Sequence, residues 1–397
     1  MRTVGLCLLL LTGCGGNECK PKQGDICTAS GTGIAGFSGD GEAALTAELY
    51  LPIDVTLREG TAYVVDWNNH RIRAIDAAGM IKTVAGSGNL GDGSGPAQKA
   101  DFNHPTHVAF DPAGKLVIAA WHNSRLKRLD LATGLLTDSC GTGKRAYTGD
   151  NGPAMLADLD LPAGVAFDSK GNTFVMDQAN QVIRKIDTND VITRYAGQCV
   201  IACVDPLVPV ACAGTNKTYC RADPDGCKKP CEGGFGGDNG PALEARLNQP
   251  FGQAADPAGR LVIDSKDNLY FADTKNHRIR KIDAAGIITT VAGNGTVGTG
   301  GNGGKATDAQ LDTPADVAVA ADGTLYIADT QSSCIRAVKP DGLISTVAGV
   351  CGQSGFRGDQ GKASSALLNR PYGLDLGTDG LLYIADTYNH RIRVVRP

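Results

Sequence analysis

The sequence predicts an all-β fold: a six-bladed β-propeller of four-stranded antiparallel blades, closed by the N-terminal strand joining the last blade. Three observations predict this fold. One segment recurs six times, each copy lies among four short β-rich runs, and the run that the last copy lacks is present near the N-terminus. Internal repetition with a near-constant step is typical of solenoids, propellers and arrays.

The recurring segment is clearest at residues 272–283, which read Ala-Asp-Thr-Lys-Asn-His-Arg-Ile-Arg-Lys-Ile-Asp. Its anchor positions are 66, 120, 177, 273, 329 and 386, so the steps between copies are 54, 57, 96, 56 and 57 residues. The single long step indicates one insertion between the third and fourth copies. The repeated polar residues are Asp66, Asp177, Asp273, Asp329, Asp386, His70, His277 and His390.

Each repeat contains four runs of roughly five β-forming residues, separated by Gly, Asp, Asn and Pro clusters that favour turns. In the third copy these runs lie at 164–168, 172–177, 182–187 and 191–197. One repeat is therefore predicted to be one blade. Since a lone blade leaves both faces uncovered, several blades must pack around an axis, which also keeps strand edges short.

The two ends of the chain predict how the ring closes. After the last anchor, residues 391–397 supply only a third strand, so the sixth blade lacks its outer strand. Residues 26–33 (Ile-Cys-Thr-Ala-Ser-Gly-Thr-Gly) match the outer-strand run at 81–88 (Ile-Lys-Thr-Val-Ala-Gly-Ser-Gly). We expect the N-terminal run to complete the last blade.

The pattern Asp-x-x-Asn-His-Arg-Ile, with preceding Gly-Val-Ala and Leu-Tyr-Ile-Ala-Asp runs, resembles the NHL-repeat family of six-bladed propellers over about residues 25–397. Two blades depart from the pattern: blade 2 has Ala120 in place of Asp, and blade 5 is interpreted as having Cys334 at the His position. The resemblance is specific for fold and weak for function, because the family includes RNA-binding domains, extracellular sensor domains and a lyase-like branch.

Residues 1–14 are interpreted as a signal peptide with a lipobox, because a positive start and a short apolar run precede Leu-Thr-Gly-Cys14. The apolar run is too short for a membrane span. Cys14 is the predicted lipidation site, residues 15–24 the tether, and 25–397 the propeller; a plain secretory signal is the alternative. The sequence predicts an exported periplasmic or cell-surface lipoprotein, with the outer membrane favoured because Gly15 follows the cysteine.

The net charge of −4 provides no basic field for nucleic acid, which we exclude as a partner. Six of the 13 cysteines crowd the insertion at 198–236 between blades three and four. In an exported chain they predict a knob with three disulfides, and zinc is the alternative. These cysteines are Cys199, Cys203, Cys212, Cys220, Cys227 and Cys231. Cys19 and Cys27 are predicted to pair near the closing strand, and Cys140, Cys334 and Cys351 leave an odd count.

Two further repeated features have structural interpretations. The paired Arg of each His-Arg-Ile-Arg segment lie on one strand face, and we expect them to reach the Asp that ends the strand, such as Asp76, Asp187 or Asp283, rather than to bind anions. The Gly-Asp loops between blades, such as 39–41 and 237–240, are predicted to cap short helical turns; a calcium ligand is the alternative, although one carboxylate per loop is few for calcium.

Positions that break the repeat predict the candidate site. The innermost strand normally begins with Gly, as at Gly164, but Asp54, His107 and Asp316 stand there in three blades. Blade 4 carries about eight extra residues, which place Arg260 at the equivalent position. Propellers that resemble this one often bind a metal ion or polar ligand at the axial mouth, so a divalent cation such as calcium is a candidate cofactor, with none certain. A hydrated channel of satisfied polar residues is the alternative.

No nucleophile elbow, zinc-binding helix or phosphate loop is present, so the sequence gives catalysis little support. The first hypothesis is a surface-tethered, non-catalytic propeller of the bacterial envelope that binds a protein, glycan or small polar molecule and is a monomer. An axial metal-dependent hydrolase or lyase of lactonase-like propeller type is the alternative, and a structural envelope component is the second alternative.

Overall fold

A computed structural model describes residues 19–199, 231–252 and 255–397, together with the backbone of 209–211 and 218–220. Six antiparallel blades surround one axis, which confirms the predicted fold. No helix in the described part of the chain is long and apolar enough to cross a membrane. Residues 1–14, with Cys14, lie outside the described residues.

Each blade has four strands, counted here from the axis outward as the inner, second, third and outer strand. They are Pro52–Arg58, Thr61–Asp66, Arg71–Ile75 and Ile81–Ala85 in blade 1; Pro105–Phe110, Leu116–Ala120, Arg125–Asp130 and Leu135–Cys140 in blade 2; Pro162–Phe167, Thr173–Asp177, Val182–Ile186 and Val191–Ala196 in blade 3; Leu261–Ile263, Leu269–Asp273, Arg278–Ile282 and Ile287–Ala292 in blade 4; Asp316–Val319, Leu325–Asp329, Cys334–Val338 and Ile344–Ala348 in blade 5; and Pro371–Leu376, Leu382–Asp386, Arg391–Val395 and Asp25–Ser30 in blade 6.

The N-terminal strand Asp25–Ser30 closes the ring by pairing with Arg391–Val395, so that Ile26 lies opposite Val395 and Thr28 opposite Arg393. This closure was predicted from the matching runs. The Cys19–Cys27 disulfide ties the strand to the residues that precede it. A long-range lock of this kind holds the first and last repeats together.

Four blades carry an additional two-residue strand on their outer edge: Gly95–Pro96, Gly152–Pro153, Gly240–Pro241 and Gly361–Lys362. These strands belong to the Gly-Asp loops, which run along the outer strand before the chain returns to the axis. The cover shields backbone groups that an exposed edge strand would offer to other chains. Short 3-10 helices follow the loops between blades at Ala44–Thr46, Ala97–Lys99, Ala154–Leu156, Ala242–Glu244, Ala306–Asp308 and Ala363–Ser365.

A second set of 3-10 helices connects the second and third strands: Trp67–Asn69, Trp121–Asn123, Gln178–Asn180, Thr274–Asn276 and Thr387–Asn389. The hydrophobic core lies between neighbouring blades, where residues such as Ile72, Phe271 and Ile327 are fully buried. Since each blade covers its neighbours, the core is continuous around the ring.

The capping prediction for the Gly-Asp loops is wrong. No side-chain hydrogen bond caps the 3-10 helices that follow them. The loop carboxylates instead accept hydrogen bonds from a buried Arg on the third strand: Arg280 Nη2 lies 2.7 Å from Asp238 Oδ1, and Arg73 Nη2 lies 2.7 Å from Asp40 Oδ1. The same pairing joins Arg184 to Asp150 in blade 3 and Arg393 to Asp359 in blade 6. In blade 2 a Lys takes the place of the Arg, and in blade 5 an Asn takes the place of the Asp.

The predicted Arg partners Asp76, Asp187 and Asp283 are also wrong. Their carboxylates accept turn N–H groups, as Asp283 Oδ1 does from Ile287 at 2.9 Å. The buried Arg instead faces the anchor Asp, with Arg280 Nη1 at 3.3 Å from Asp273 Oδ2. Desolvation raises the pKa of Asp273 to about 6 even beside this Arg. A buried carboxylate with several donors is typical of a structural network.

In blades 1, 4 and 6 the repeated His forms a latch, a hydrogen bond that its Nδ1 accepts from the backbone leading into the next blade. Nδ1 of His277 accepts the N–H of Thr313 at 3.1 Å, and Nδ1 of His390 accepts that of Leu51 at 3.1 Å. In blade 5 the corresponding acceptor is Ser333 Oγ, which receives the N–H of Arg370 at 3.2 Å. Ser333, not Cys334, therefore occupies the His position, which corrects the sequence alignment of that blade.

Cys334 lies opposite Asp329, the register that Arg71 has opposite Asp66 in blade 1. It forms a disulfide with Cys351, and the described free cysteine is the buried Cys140. In the insertion, Cys199 pairs with Cys231 across its base. The side chains of Cys203, Cys212, Cys220 and Cys227 lie outside the described residues, so their pairing stays a prediction.

Candidate functional site

The candidate site lies on the axis, where the inner strands of the blades meet. Asp54 pairs with Val65, His107 with Ala119 and Asp316 with Ala328, which are the residues just before the anchor positions 66, 120 and 329. The N–H of Ala272 donates to the carbonyl of Arg260 at 3.1 Å, which gives Arg260 the same register. The structure therefore brings all four sequence-predicted residues to one level of the axis.

Asp54 is the centre of this group. Its Oδ2 lies 3.9 Å from Nε2 of His107, and its Oδ1 lies 3.7 Å from Nε of Arg260. The two side chains of this Asp–Arg pair are 2% and 1% exposed, so both charges are removed from water. Buried ionic groups at this distance interact strongly, because little solvent screens them.

Three of the axial side chains bind the backbone of the next blade. Asp54 Oδ2 accepts the N–H of Val108 at 3.0 Å, and His107 Nδ1 accepts that of Val165 at 3.3 Å. Asp316 Oδ2 accepts an N–H from blade 6 in the same way, from Leu374 at 2.9 Å. These polar side chains therefore join the inner strands of neighbouring blades.

The glycines of blades 3 and 6 explain why these two blades have no polar side chain at this level of the axis. A Cβ on Gly373 would lie 2.6 Å from Asp54 Oδ1, and one on Gly164 would lie 3.0 Å from the Cα of Arg260. Gly373 makes room for the carboxylate and backbone of Asp54, and Gly164 makes room for the backbone at Arg260. The inner-strand pattern of Gly and polar residues is thus set by close packing at the axis.

A fifth axial residue, Asp375, was missed by the sequence reasoning. Its Oδ2 accepts the N–H of Leu57 at 2.8 Å and the hydroxyl of Thr56 at 3.2 Å. It stands two positions further along the inner strand than the level of Asp54, at a place where Ala109 and Ala318 occur in other blades. Applying the repeat-breaking criterion to this second position would have found it.

Burial dominates the protonation of the site. Desolvation raises the pKa of Asp316 and that of Asp375 to about 6 each, and raises the pKa of Asp54 well above its ordinary value against the opposing effect of Arg260. Desolvation, followed by repulsion from Arg260, lowers the pKa of His107 to about 3. His107 is therefore neutral near pH 7.

The described residues that lead into the inner strand of blade 4 lie across one end of the axis. We call residues 250–252 and 255–260 the axial segment. Gln178 Nε2 of blade 3 donates to the carbonyls of Pro250 and Asp256 at 2.7 and 3.0 Å. Asp256 also hydrogen-bonds the hydroxyl of Tyr372 in blade 6.

Arg260, at the end of this segment, crosses the axis. Its Nη2 donates to the carbonyls of Ile53 and Thr106, both at 2.9 Å, and its backbone N–H donates to the carbonyl of Ala315 at 3.2 Å. These three acceptors belong to blades 1, 2 and 5. Together with its contacts to blades 3 and 6, the axial segment therefore contacts each of the five other blades of the ring.

Beyond Arg260 a cavity of about 210 Å3 extends along the axis. Asp54, His107 and Asp316 line its inner part, and the half-buried Phe110 and Phe167 line its outer part toward the turns between inner and second strands. The axis thus holds a one-ended cavity rather than an open channel.

The donor set fits a metal ion poorly. Both oxygens of Asp316 accept backbone N–H groups, and the guanidinium of Arg260 lies beside Asp54. Within the described ranges no group of three or more His, Cys, Asp or Glu is arranged to hold a metal ion. Calcium prefers six to eight oxygen ligands, which this arrangement does not offer. A bound divalent cation stays a prediction for elemental analysis to test.

The comparisons with known families match two parts of the chain. Residues 295–355 match the model of the teneurin NHL domain, and residues 368–395 match that of the NHL repeat. Teneurin-3 of Mus musculus is 28% identical over 369 residues, which cover 85% of this chain and 12% of the relative. The chain therefore spans a small part of the curated relatives that it matches.

Two further similarities come from plants and bacteria. The chloroplastic protein Suppressor of Quenching 1 of Arabidopsis thaliana is 26% identical over 287 residues, which cover 70% of this chain and 24% of that protein. An auxiliary nutrient binding protein of Bacteroides ovatus superposes with a TM-score of 0.61 at 14% identity, over 93% of this chain and 75% of that chain. At this identity the solved structure shows a shared fold.

Proposed function

We propose that this six-bladed β-propeller, which matches the NHL-repeat model at residues 368–395, is a non-catalytic binding propeller of the bacterial envelope. Its ligand would be a protein, a glycan or a small polar molecule. The recognition surface would lie on the ring itself, whose blades are joined to one another at the axis and at the closing strand.

The state of the axial polar groups carries this proposal. Asp54, His107 and Asp316 each accept a backbone N–H from the next blade, so each uses at least one polar atom to join neighbouring blades. A general base must reach its substrate and have a pKa near the working pH. His107 uses Nδ1 for Val165 and has a pKa near 3, so it is poorly suited to proton transfer near pH 7.

Export and tethering complete the proposal. The disulfides Cys19–Cys27, Cys199–Cys231 and Cys334–Cys351 are typical of oxidising compartments. We propose that Cys14 is lipidated and holds a monomeric ring at the outer membrane, so that the lipid anchor supplies the membrane contact. Solved propellers of similar fold are described as auxiliary nutrient binding proteins, and we extend the idea of ligand binding, without the nutrient, to this chain.

The test uses the full chain purified from an oxidising compartment. Elemental analysis of the wild type, of Asp54→Ala and of His107→Ala is expected to find no stoichiometric metal, and lactone and ester substrates are expected to remain unhydrolysed. Affinity capture from envelope extracts is expected to retain a specific protein or glycan on the full chain. The capture is then repeated with a variant that lacks residues 200–230. The metal-dependent hydrolase would be established instead if the wild type held stoichiometric metal and hydrolysed a substrate, and if both variants lost the metal and the activity. The absence of metal, turnover and any captured ligand would favour a structural component.

A further inference from the structure

The closed end of the axial cavity holds polar atoms that lack partners. Nε and Nη1 of Arg260 have no hydrogen-bond partner among the described residues, although the side chain is 1% exposed. Asp54 lines the cavity, and its Oδ1 lies 3.7 Å from Nε of Arg260, which is not itself a lining residue. Buried polar groups are nearly always hydrogen-bonded, so an additional group is expected between these atoms.

The chemistry of the unpartnered atoms selects the kind of group. Arg260 offers N–H donors, and Asp54 offers an acceptor oxygen. An ammonium group would satisfy Asp54 but would be repelled by Arg260, while a carboxylate would satisfy Arg260 but would be repelled by Asp54. A hydroxyl both donates and accepts, so one oxygen can bridge the two side chains. His107 adds a further donor, because its Nδ1 is an acceptor for Val165 and the ring is neutral, which places the proton on Nε2.

The walls and the volume restrict the rest of the ligand. Val55, Val108, Val165 and Leu261 are among the residues that line the cavity beside its polar groups. The lining is about as polar as it is apolar, which suits a ring that presents both C–H groups and hydroxyls. About 210 Å3 equals roughly seven water molecules at about 30 Å3 each. The cavity therefore fits a ligand on the order of ten heavy atoms, or one terminal unit of a longer chain.

From these contacts we infer that the axial cavity binds a small neutral polyhydroxylated ligand of monosaccharide size, with one hydroxyl bridging Asp54 and Arg260. This inference rests on the proposed binding function and names its ligand class. The ligand enters past Phe110 and Phe167, since the axial segment closes the opposite end. The axial segment thus converts a symmetric channel into a pocket with a polar end.

The experiment uses calorimetry with three ligands that share one ring: D-glucose, its cationic analogue glucosamine and its anionic analogue glucuronate, together with D-galactose, D-mannose, L-rhamnose and myo-inositol. At least one neutral compound is expected to bind the full chain more tightly than either charged analogue. Asp54→Asn is expected to weaken that binding at least about tenfold, because the amide oxygen is retained by Val108 and the amide N–H2 meets the donors of Arg260. Asp168→Asn, a turn residue on the same face outside the cavity lining, is the matched control and is expected to bind as the wild type does.

A second variant keeps the test decisive if Asp54→Asn fails to fold. Ala109→Phe fills the cavity from its wall without touching the polar end, and is expected to abolish binding while the melting temperature stays close to that of the wild type. If no neutral compound binds at about 10 mM, the hydroxyl inference is overturned and water alone occupies the bridge. A charged analogue that binds best overturns the inference as well. Capture of another partner would then leave the proposed function standing. Conversely, a sugar that binds and is consumed during incubation would keep the site but refute the non-catalytic function.

Discussion

Replacing Arg280 by Met should destabilise the ring strongly. Arg280 donates to Asp238 at 2.7 Å, to the carbonyls of Gly236 and Arg246 at 3.0 Å each, and to Asp273 at 3.3 Å. The Met side chain keeps the packing of the stem but leaves Asp273, which is fully buried, without a cation. Breaking a buried ion pair in this way costs about 3–5 kcal/mol.

The loss should depend on pH, and the sign follows from Asp273. Desolvation raises the pKa of this carboxyl to about 6 in the wild type, and removing the Arg raises it further. The folded variant therefore binds a proton that the unfolded chain releases, so its stability falls as pH rises above the unfolded value near 4. Urea unfolding at pH 5 and pH 8 is expected to show the larger destabilisation at pH 8.

Blade 2 supplies the matched control for this experiment. There Ala120 replaces the anchor Asp, and the buried Lys127 replaces the Arg, with its Nζ 2.7 Å from Asp92 and 2.8 Å from Asp138. The triple variant Asp273→Ala, Arg280→Lys and Thr290→Asp copies that arrangement into blade 4. It should recover most of the stability lost in Arg280→Met. A loss below about 1 kcal/mol at pH 8, or equal losses at both pH values, would refute the reasoning.

Three further predictions concern single features of the ring. His107 has a folded pKa of about 3, so the wild type should lose up to about 1.4 kcal/mol per pH unit as pH falls below about 6.5, whereas His107→Gln should give a flatter curve; parallel curves would contradict this. In His277→Ala the amide of Thr313 should exchange hydrogen faster and stability should fall by about 1 kcal/mol, while His277→Ser, the arrangement of blade 5, should slow the exchange again. Replacing Cys334 and Cys351 by Ser opens a crosslink with a sequence separation of 17 and should cost about 3 kcal/mol in urea unfolding, a value that an unchanged midpoint would disprove.

The repeat explains why so much of the fold was predictable. Once residues 66, 177 and 273 are aligned, the strand order and the facing of each side chain follow, because side chains alternate along a strand. The same register placed Asp54, His107, Asp316 and Arg260 at one level of the axis. The closing strand followed from matching 26–33 with 81–88.

What the sequence could not supply was the path of the loops. Asp238 meets Arg280 only because the Gly-Asp loop runs along the outer edge of its own blade, and nothing in the local pattern specifies that course. Arg280 and Asn123, for example, each have a partner on a loop more than thirty residues away. For the same reason the His latch, which binds the next blade, could not be read from a single repeat.

The axial segment shows how one irregular repeat can create a site in a regular ring. Six equivalent blades would bring six equivalent strand ends to the axis and leave a channel without a distinct end. The extra residues of blade 4 carry Arg260 across that axis, where it binds the carbonyls of Ile53 and Thr106 and faces Asp54. One cation that lies among buried carboxylates makes the closed end chemically different from the open end. Recognition at the axis therefore depends on the departure from the repeat, while the repeat itself supplies the rigid wall around it.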